Sequence, residues 1–168
     1  ALALGIGATS AVFTLVNAVL LRTLPFDQPD RIMIINTRDA QSHTFGVSEP
    51  DFEDWRRASR TFSGIALVQT YPVNFSADER QPDQYAGAYI SWNGFSLIGT
   101  GPAIGRGFVA ADDRPGAPAV VLLSHKVWQS RYGGEKAAIG RTIRVNAEPA
   151  TIVGVMAPGM EFPFNSEV

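Results

Sequence analysis

The spacing of apolar and polar positions changes character after residue 21. Residues 1–21, ALALGIGATSAVFTLVNAVLL, contain no Asp, Glu, Lys, Arg or His. A helix of that length rises about 31 Å at about 1.5 Å per residue, close to the roughly 30 Å of hydrocarbon in a bilayer. At about 100° per residue, Ala3, Gly7, Ser10, Ala11, Thr14, Asn17 and Ala18 share one arc, while Leu2, Ile6, Val12, Phe13, Leu15, Val16, Val19 and Leu20 fill the rest. Small or weakly polar residues on a narrow seam and bulky apolar ones elsewhere reverse the pattern of a soluble amphipathic helix. The pattern predicts a transmembrane helix over residues 1–22. Lipid would lie on its broad face, and Ala3, Gly7, Ser10, Thr14 and Asn17 would form a helix-packing seam. The alternatives are a buried helix of a soluble core and a signal peptide, and the second lacks a basic leading region. Arg22 and Pro25 mark the exit into water, and residues 23–30 read as a connector.

Shorter periods follow. RIMIINT is a β-branched run of the kind that forms a buried strand. In SEPDFEDWRRASRTF, Ser48 is placed to cap a helix that has Pro50 and Asp51 in its first turn and Phe52 and Trp55 on one face. FSGIALVQTYPVNFS reads as two strands broken near Pro72, and DQYAGAYIS as a third after an ERQPD turn, together an antiparallel group. SWNGFSLIGTGPAIGRGF predicts a short helix running into glycine-rich loops, and VAADDRPGAP an acidic connector. AVVLLS predicts a strand, HKVWQSRY a helix closed by Gly133 and Gly134, and TIRVN-AEP-ATIVGVM a hairpin turning at AEP. Residues 31–168 are therefore expected to form an α/β (mixed α+β) domain, extracytoplasmic if residues 1–22 span a membrane. No initiator Met opens the chain and FPFNSEV supplies no closing element, so a fragment of a longer protein, truncated at its C-terminus, is expected.

Composition narrows the function more than it names one. The net charge is −2 with no run of Lys or Arg, which disfavours nucleic acid and anionic surfaces as electrostatic partners. There is no cysteine, hence no disulfide, thiolate metal site or cysteine nucleophile. His43 and His125 are far apart, without a neighbouring acid or histidine at ligand spacing, so no metal site is expected. Glu49, Asp51, Glu53 and Asp54 suit a helix start better than catalysis, and Asp112 with Asp113 suits a turn cap. GTGPAIG misses the dinucleotide spacing, and neither a Gly-Lys-Ser/Thr phosphate loop nor a G-x-S-x-G elbow occurs. Trp55, Trp92, Trp128, Tyr132 and Phe108 are expected to pack in the core rather than to stack on a ligand. No catalytic residue, cofactor or metal ligand is assigned.

Four blocks carry a resemblance over nearly the whole chain: ALGIGATSAVFTLVNAVLLRTLPF, SEPDFEDWRRASRTFSGIA, GRGFVAADDRPGAPAVVLLSHKVWQSRYGG and IGRTIRVNAEPATIVGVMAPGMEFPF. In this order they resemble the first span and periplasmic core domain of MacB-like, FtsX-related ABC transporter permeases. The resemblance implies a permease subunit of the bacterial inner membrane, with residues after about 25 in the periplasm and ATP hydrolysis on a separate ATPase domain or subunit. It further implies a large extracytoplasmic domain followed by three more helices, a dimer with a second permease copy, and contact with the lipid bilayer and a periplasmic adaptor protein. ATP-driven movement would pass to the part from about Asp30 onward, and Ala3, Gly7, Ser10, Thr14 and Asn17 would pack on neighbouring spans. Export or efflux is the expected process, and no substrate is implied. Two rival readings are a membrane-anchored extracytoplasmic ligand-binding or sensory module, and a soluble hydrolase using Asp112 and Asp113.

Overall fold

The β-branched runs late in the chain form the centre of the sheet, because they are apolar at consecutive positions and are covered on both faces. In the computed structural model, which describes residues 26–76, 82–160, 162–163 and 166–168, strand β8 (Glu148–Met156) is the hub. Along one side it pairs in parallel with β6 (Ala119–Leu123). Along the other it pairs antiparallel, in succession, with β7 (Thr142–Val145) and β5 (Pro102–Gly105). Strand β7 hands on to β3 (Val68–Ser76) through the pairs Phe75↔Val145 and Ser76↔Arg144, and β3 runs antiparallel to β4 (Asp83–Ile90). The order is β4-β3-β7-β8-β5, with β6 beside β8.

Two apolar clusters sandwich this hub. Ile152 and Val155 face Phe75, Leu123, Ile143 and helix α3 (His125–Tyr132), which contributes Val127 and Trp128. Val153 and Met156 face Leu122, Met160 and the short helix α2 (Gly94–Leu97), which supplies Phe95, with Ile98 just after it. Phe26 and Ile32 join this second cluster. Phe26 meets Phe162 edge-on at 5.3 Å, and Asp27 donates its N–H to the Ile98 carbonyl at 3.1 Å.

Local signals place the helices. Ser48 Oγ accepts the Asp51 N–H at 3.3 Å and donates to its carboxylate at 2.7 Å, starting helix α1 (Glu49–Ala58) with Pro50 in the first turn. Phe52 of α1 is buried and Trp55 beside it is half-buried. Ser124 Oγ accepts the Val127 N–H at 3.2 Å to start α3, and Gly133 ends it in the left-handed conformation. Residues 166–168 act as a strap across the molecule. Glu167 donates its N–H to the Ala86 carbonyl at 2.6 Å, and Val168 accepts from Ala88 N at 2.9 Å, while the Glu167 carbonyl accepts from Ser124 N at 2.8 Å. The edge of β4 is thereby joined to the end of β6.

Several expectations are corrected. RIMIINT is not a buried strand: Met33 and Ile34 are 73% and 76% exposed and Ile35 38%, and only Thr37–Arg38 forms a strand, β1, paired with β2 (Thr44–Phe45). β-Branched composition reports a preference for strand geometry, but a strand also needs a neighbour, and among the described residues none lies beside Met33–Asn36. Pro72 does not break β3, which runs through it with Pro72 opposite Ala86. Strand β7 reaches β3 only at Phe75 and Ser76, so the far side of β3 is an edge at Pro72 and no ladder bond is lost there. The β7–β8 turn is not AEP but Asn146–Ala147, both at positive φ, with Glu148 already paired to Val145. Part of the glycine-rich loop is strand β5. The ERQPD turn lies largely outside the described residues. So do residues 1–22 with Ala3, Gly7, Ser10, Thr14 and Asn17; of the connector, Phe26–Asp30 is described. Among the described residues no helix is long and apolar enough to cross a membrane.

Candidate functional site

The residues that could carry chemistry are engaged in holding loops. Asp112 receives Arg106 through two nitrogens, at 2.6 and 2.9 Å, and accepts the Val109 N–H at 2.9 Å. Asp113, beside it in sequence, turns elsewhere and accepts the Trp92 N–H at 3.3 Å. General acid and base carboxylates must converge on one reacting atom, and these two diverge. The Arg106 hydrogen bonds hold the Asp112 carboxyl below the usual carboxylate range, against burial, which raises it, and with help from the Val109 N–H and the Arg106 charge. It is therefore an anion at neutral pH, with its oxygens occupied, and unsuited to donate a proton.

That depression has a testable sign. A carboxylate whose folded pKa is lowered adds stability above its unfolded value, about 3.9, and loses that contribution as pH falls through the folded value. Asp112→Asn is expected to lower stability by about 1 kcal/mol at pH 7, a modest figure because the guanidinium is half exposed to screening water. Urea unfolding from pH 7 to pH 2 should show the two proteins converging in acid. A constant gap across that range would mean that the pair contributes nothing.

The histidines are also accounted for. His43 stacks edge-on Phe45 and its Nδ1 lies 2.9 Å from Asp39, an acid four residues upstream that the sequence reading missed and that the β1–β2 turn brings to the imidazole. His125 packs edge-on Trp128 at 5.4 Å. The glycines of GTGPAIGRG serve the sheet: Gly105 has φ +83°, and an added Cβ would lie 2.3 Å from the Val153 carbonyl oxygen. Trp128 is buried in the first cluster, with Tyr132 packed against it, and Phe108 packs on the second, as expected for core aromatics. Trp92, by contrast, is partly exposed.

One polar network was not foreseen. Arg131 of α3 lies over the Phe75 ring at 4.8 Å, donates Nε to the Tyr85 hydroxyl at 3.0 Å and donates to the Asp83 carboxylate. It ties α3 to β4. Burial lowers its pKa and the bonds to Tyr85 and Asp83 raise it, with a net rise. An apolar cleft of about 100 Å³ opens where β4, β6, residues 162–163 and the strap 166–168 meet, among Ile90, Phe108, Val120, Met156 and Phe162. It has room for about three waters and falls short of the roughly 300–1,000 Å³ typical of ligand pockets. What the domain offers a partner is surface: the apolar Met33–Ile35 with Phe45, and the exposed Tyr71–Tyr89 pair on the β3–β4 arm, 6.3 Å apart.

The fold is a mixed sheet with one helix packed on each apolar cluster. Two of the solved structures that share the fold are transporter domains. One is the extracellular domain of the noncanonic ABC-type transporter YknZ from Gram-positive bacteria, with TM-score 0.58 and 15% identity, covering 67% of this chain and 58% of that one. The other is the periplasmic region of MacB from Actinobacillus actinomycetemcomitans, with TM-score 0.57 and 16% identity, covering 71% of this chain and 56% of that one. The chain thus corresponds to a little over half the length of each. No curated protein sequence matches it. The chain belongs to the family of MacB-like periplasmic core domains, which matches residues 1–168.

Proposed function

We propose that the chain is the anchored extracytoplasmic part of an ABC transporter permease subunit. Residues 1–22 span the bacterial inner membrane, residues after about 25 lie in the periplasm, and ATP is hydrolysed on a separate cytoplasmic ATPase domain or subunit. The domain itself carries out no catalysis. It passes ATP-driven movement outward, paired with a second permease copy and in contact with a periplasmic adaptor, in export or efflux. The observation that carries this reading is the family match, which extends over the domain and the uncharged residues 1–21 alike. The docking of Phe26 on Phe162 and of Asp27 on the Ile98 carbonyl supports it, because movement of the preceding segment would reach the β8 hub through that cluster. In this reading Ala3, Gly7, Ser10, Thr14 and Asn17 face neighbouring spans.

Topology tests it. A reporter that is active only outside the cytoplasm, fused in the full-length parent just after Arg22 or near Glu167, is expected to be active at both positions. Cytoplasmic location of both fusions would make residues 1–21 a core helix and overturn the permease reading.

A further inference from the structure

The two edges of the large sheet face each other across the apolar cleft. Antiparallel pairing from β4 to β3, β7 and β8, then parallel pairing to β6, sets β4 and β6 antiparallel. Backbone groups alternate sides along a strand. Ala86 and Ala88 turn outward to the strap, so Ile90 turns its N–H and C=O outward as well. On the other edge, Ile152 spends its N–H and C=O on Arg141 and Gly140, beside β7. Its register partner Val121 is therefore the residue bonded to β8, and Val120 and Leu122 turn outward in phase with Ser124, whose N–H reaches the strap. Among the described residues, none bonds the outward backbone groups of Ile90, Val120 or Leu122. Between the two edges lies an apolar floor of Phe95, Phe108, Met156 and Phe162. Unpaired backbone rows on both sides of such a floor suit a strand, which alone satisfies both.

The strap shows how a strand is held there. Glu167 donates its N–H to Ala86 and accepts from Ser124, so one residue bridges both edges, which stand two strand spacings, or about 10 Å, apart. Val168 donates its N–H to the Ala86 carbonyl at 3.4 Å and accepts the Ala88 N–H at 2.9 Å. That is the pattern of a strand parallel to β4, with Val168 opposite Gly87. Its direction is that of β4 from Ala88 to Ile90, into the cleft.

We infer that the slot between β4 and β6 is a strand site, and that its occupant is the segment directly following Val168 in the full-length parent. This rests on reading the chain as part of a longer permease polypeptide, and not on its membrane topology. The matched residues make up 58% and 56% of the two solved domains, so the fold carries further polypeptide there. Attachment to Val168 gives the next residues a local concentration at the slot that a separate peptide lacks. The ladder fixes their register. Because Glu167 stands opposite Ser124 and Val168 opposite Gly87, the first residue after Val168 meets Leu122 and the third meets Val120. The second lies opposite Tyr89 and accepts the Ile90 N–H. Val168 packs on the first apolar cluster, so the first and third residues turn their side chains to the cleft and are apolar.

Amide hydrogen exchange in the purified full-length parent tests the site. The N–H groups of Ile90, Val120 and Leu122 are expected to exchange at least about tenfold more slowly than unpaired amides. Replacing the first residue after Val168 by proline, which brings no N–H to the ladder, should return Leu122 to fast exchange and leave Ile152 slow. Fast exchange at Ile90 and Leu122 in the unmodified parent would overturn the inference. Slow exchange that the proline leaves unchanged would also overturn it, because another segment would then fill the slot. Should the proline unfold the domain, speeding Ile152 as well, a disulfide decides. In a cysteine-free parent, Tyr89→Cys is expected to link under mild oxidation with a cysteine at the second residue after Val168. A cysteine at the fourth, about 7 Å further along the strand, is beyond its reach. Equal linkage at the two positions, or none, would sink the proposed register and occupant together. The reporter fusions above read topology alone, so either reading can fail without the other.

Discussion

Gly105→Ala is expected to destabilise the domain by about 3–5 kcal/mol, one of the largest effects of a single methyl group anywhere in it. Two causes act together. Gly105 sits at φ +83°, where any Cβ is strained, and that Cβ would meet the Val153 carbonyl oxygen at 2.3 Å and Gly154 Cα at 2.7 Å. Both contacts are backbone of the hub strand, opposite Gly105 in the β5–β8 register, so no side-chain rotation relieves them. Separating β5 from β8 would also open the second apolar cluster. Gly101→Ala, four residues earlier in the same loop, has nothing within 4 Å of the added carbon and is expected to change stability by no more than about 0.5 kcal/mol. Denaturant midpoints of the two variants decide the matter. Equal small shifts would mean that β5 does not lie against β8 as described.

Phe75→Ala should produce a loss of similar size, about 3–5 kcal/mol, by a different route. Phe75 is fully buried, belongs to the first cluster, and stands where β3 meets both β4 and β7. Its ring is also the floor for the Arg131 guanidinium and the edge-on neighbour of Tyr85 at 5.7 Å. Truncation leaves a cavity beneath a cation whose side chain is only 6% exposed, so the loss of ring contact is not made good by water. The β3–β4 arm, which reaches β7 through two residue pairs, should loosen first. Faster hydrogen exchange at the amides of β3 and β4 than at those of β8 would show this, and a uniform change across the sheet would contradict it.

The readable parts of this chain are those whose physics is local. Ser48 and Ser124 cap helices because a hydroxyl three residues ahead of an orphan N–H is enough, and Gly133 ends α3 because only glycine turns left at no strain. The apolar runs of β6 and β8 are likewise visible, since burial on both faces needs no partner to be named in advance. Where the partner decides, sequence is silent. Pro72 is harmless only because β7 stops short of it, and IMIIN stays exposed only because no described strand comes alongside. Asn146–Ala147 adopts a turn usually marked by Asn-Gly, and alanine at positive φ carries no signature. Arg131 looks like an ordinary last-turn cation until folding brings Tyr85 and Asp83 to it from far upstream. The arrangement of the candidate acids was not legible. The divergence of Asp112 from Asp113 depends on Arg106 and on the backbone of Trp92, which adjacency in sequence does not report.

The strap formed by residues 166–168 also bears on the order in which the domain can assemble. Its partners, Ala86, Ala88 and Ser124, are all made long before it, so ring closure is a non-local event and belongs late on the folding path. As the chain leaves the ribosome, β4 shows a naked edge for the whole interval between its own emergence and that of Val168. An edge bare for that long is where a second nascent chain would add, so holding it apart from its neighbours is a task for chaperones rather than for the native structure.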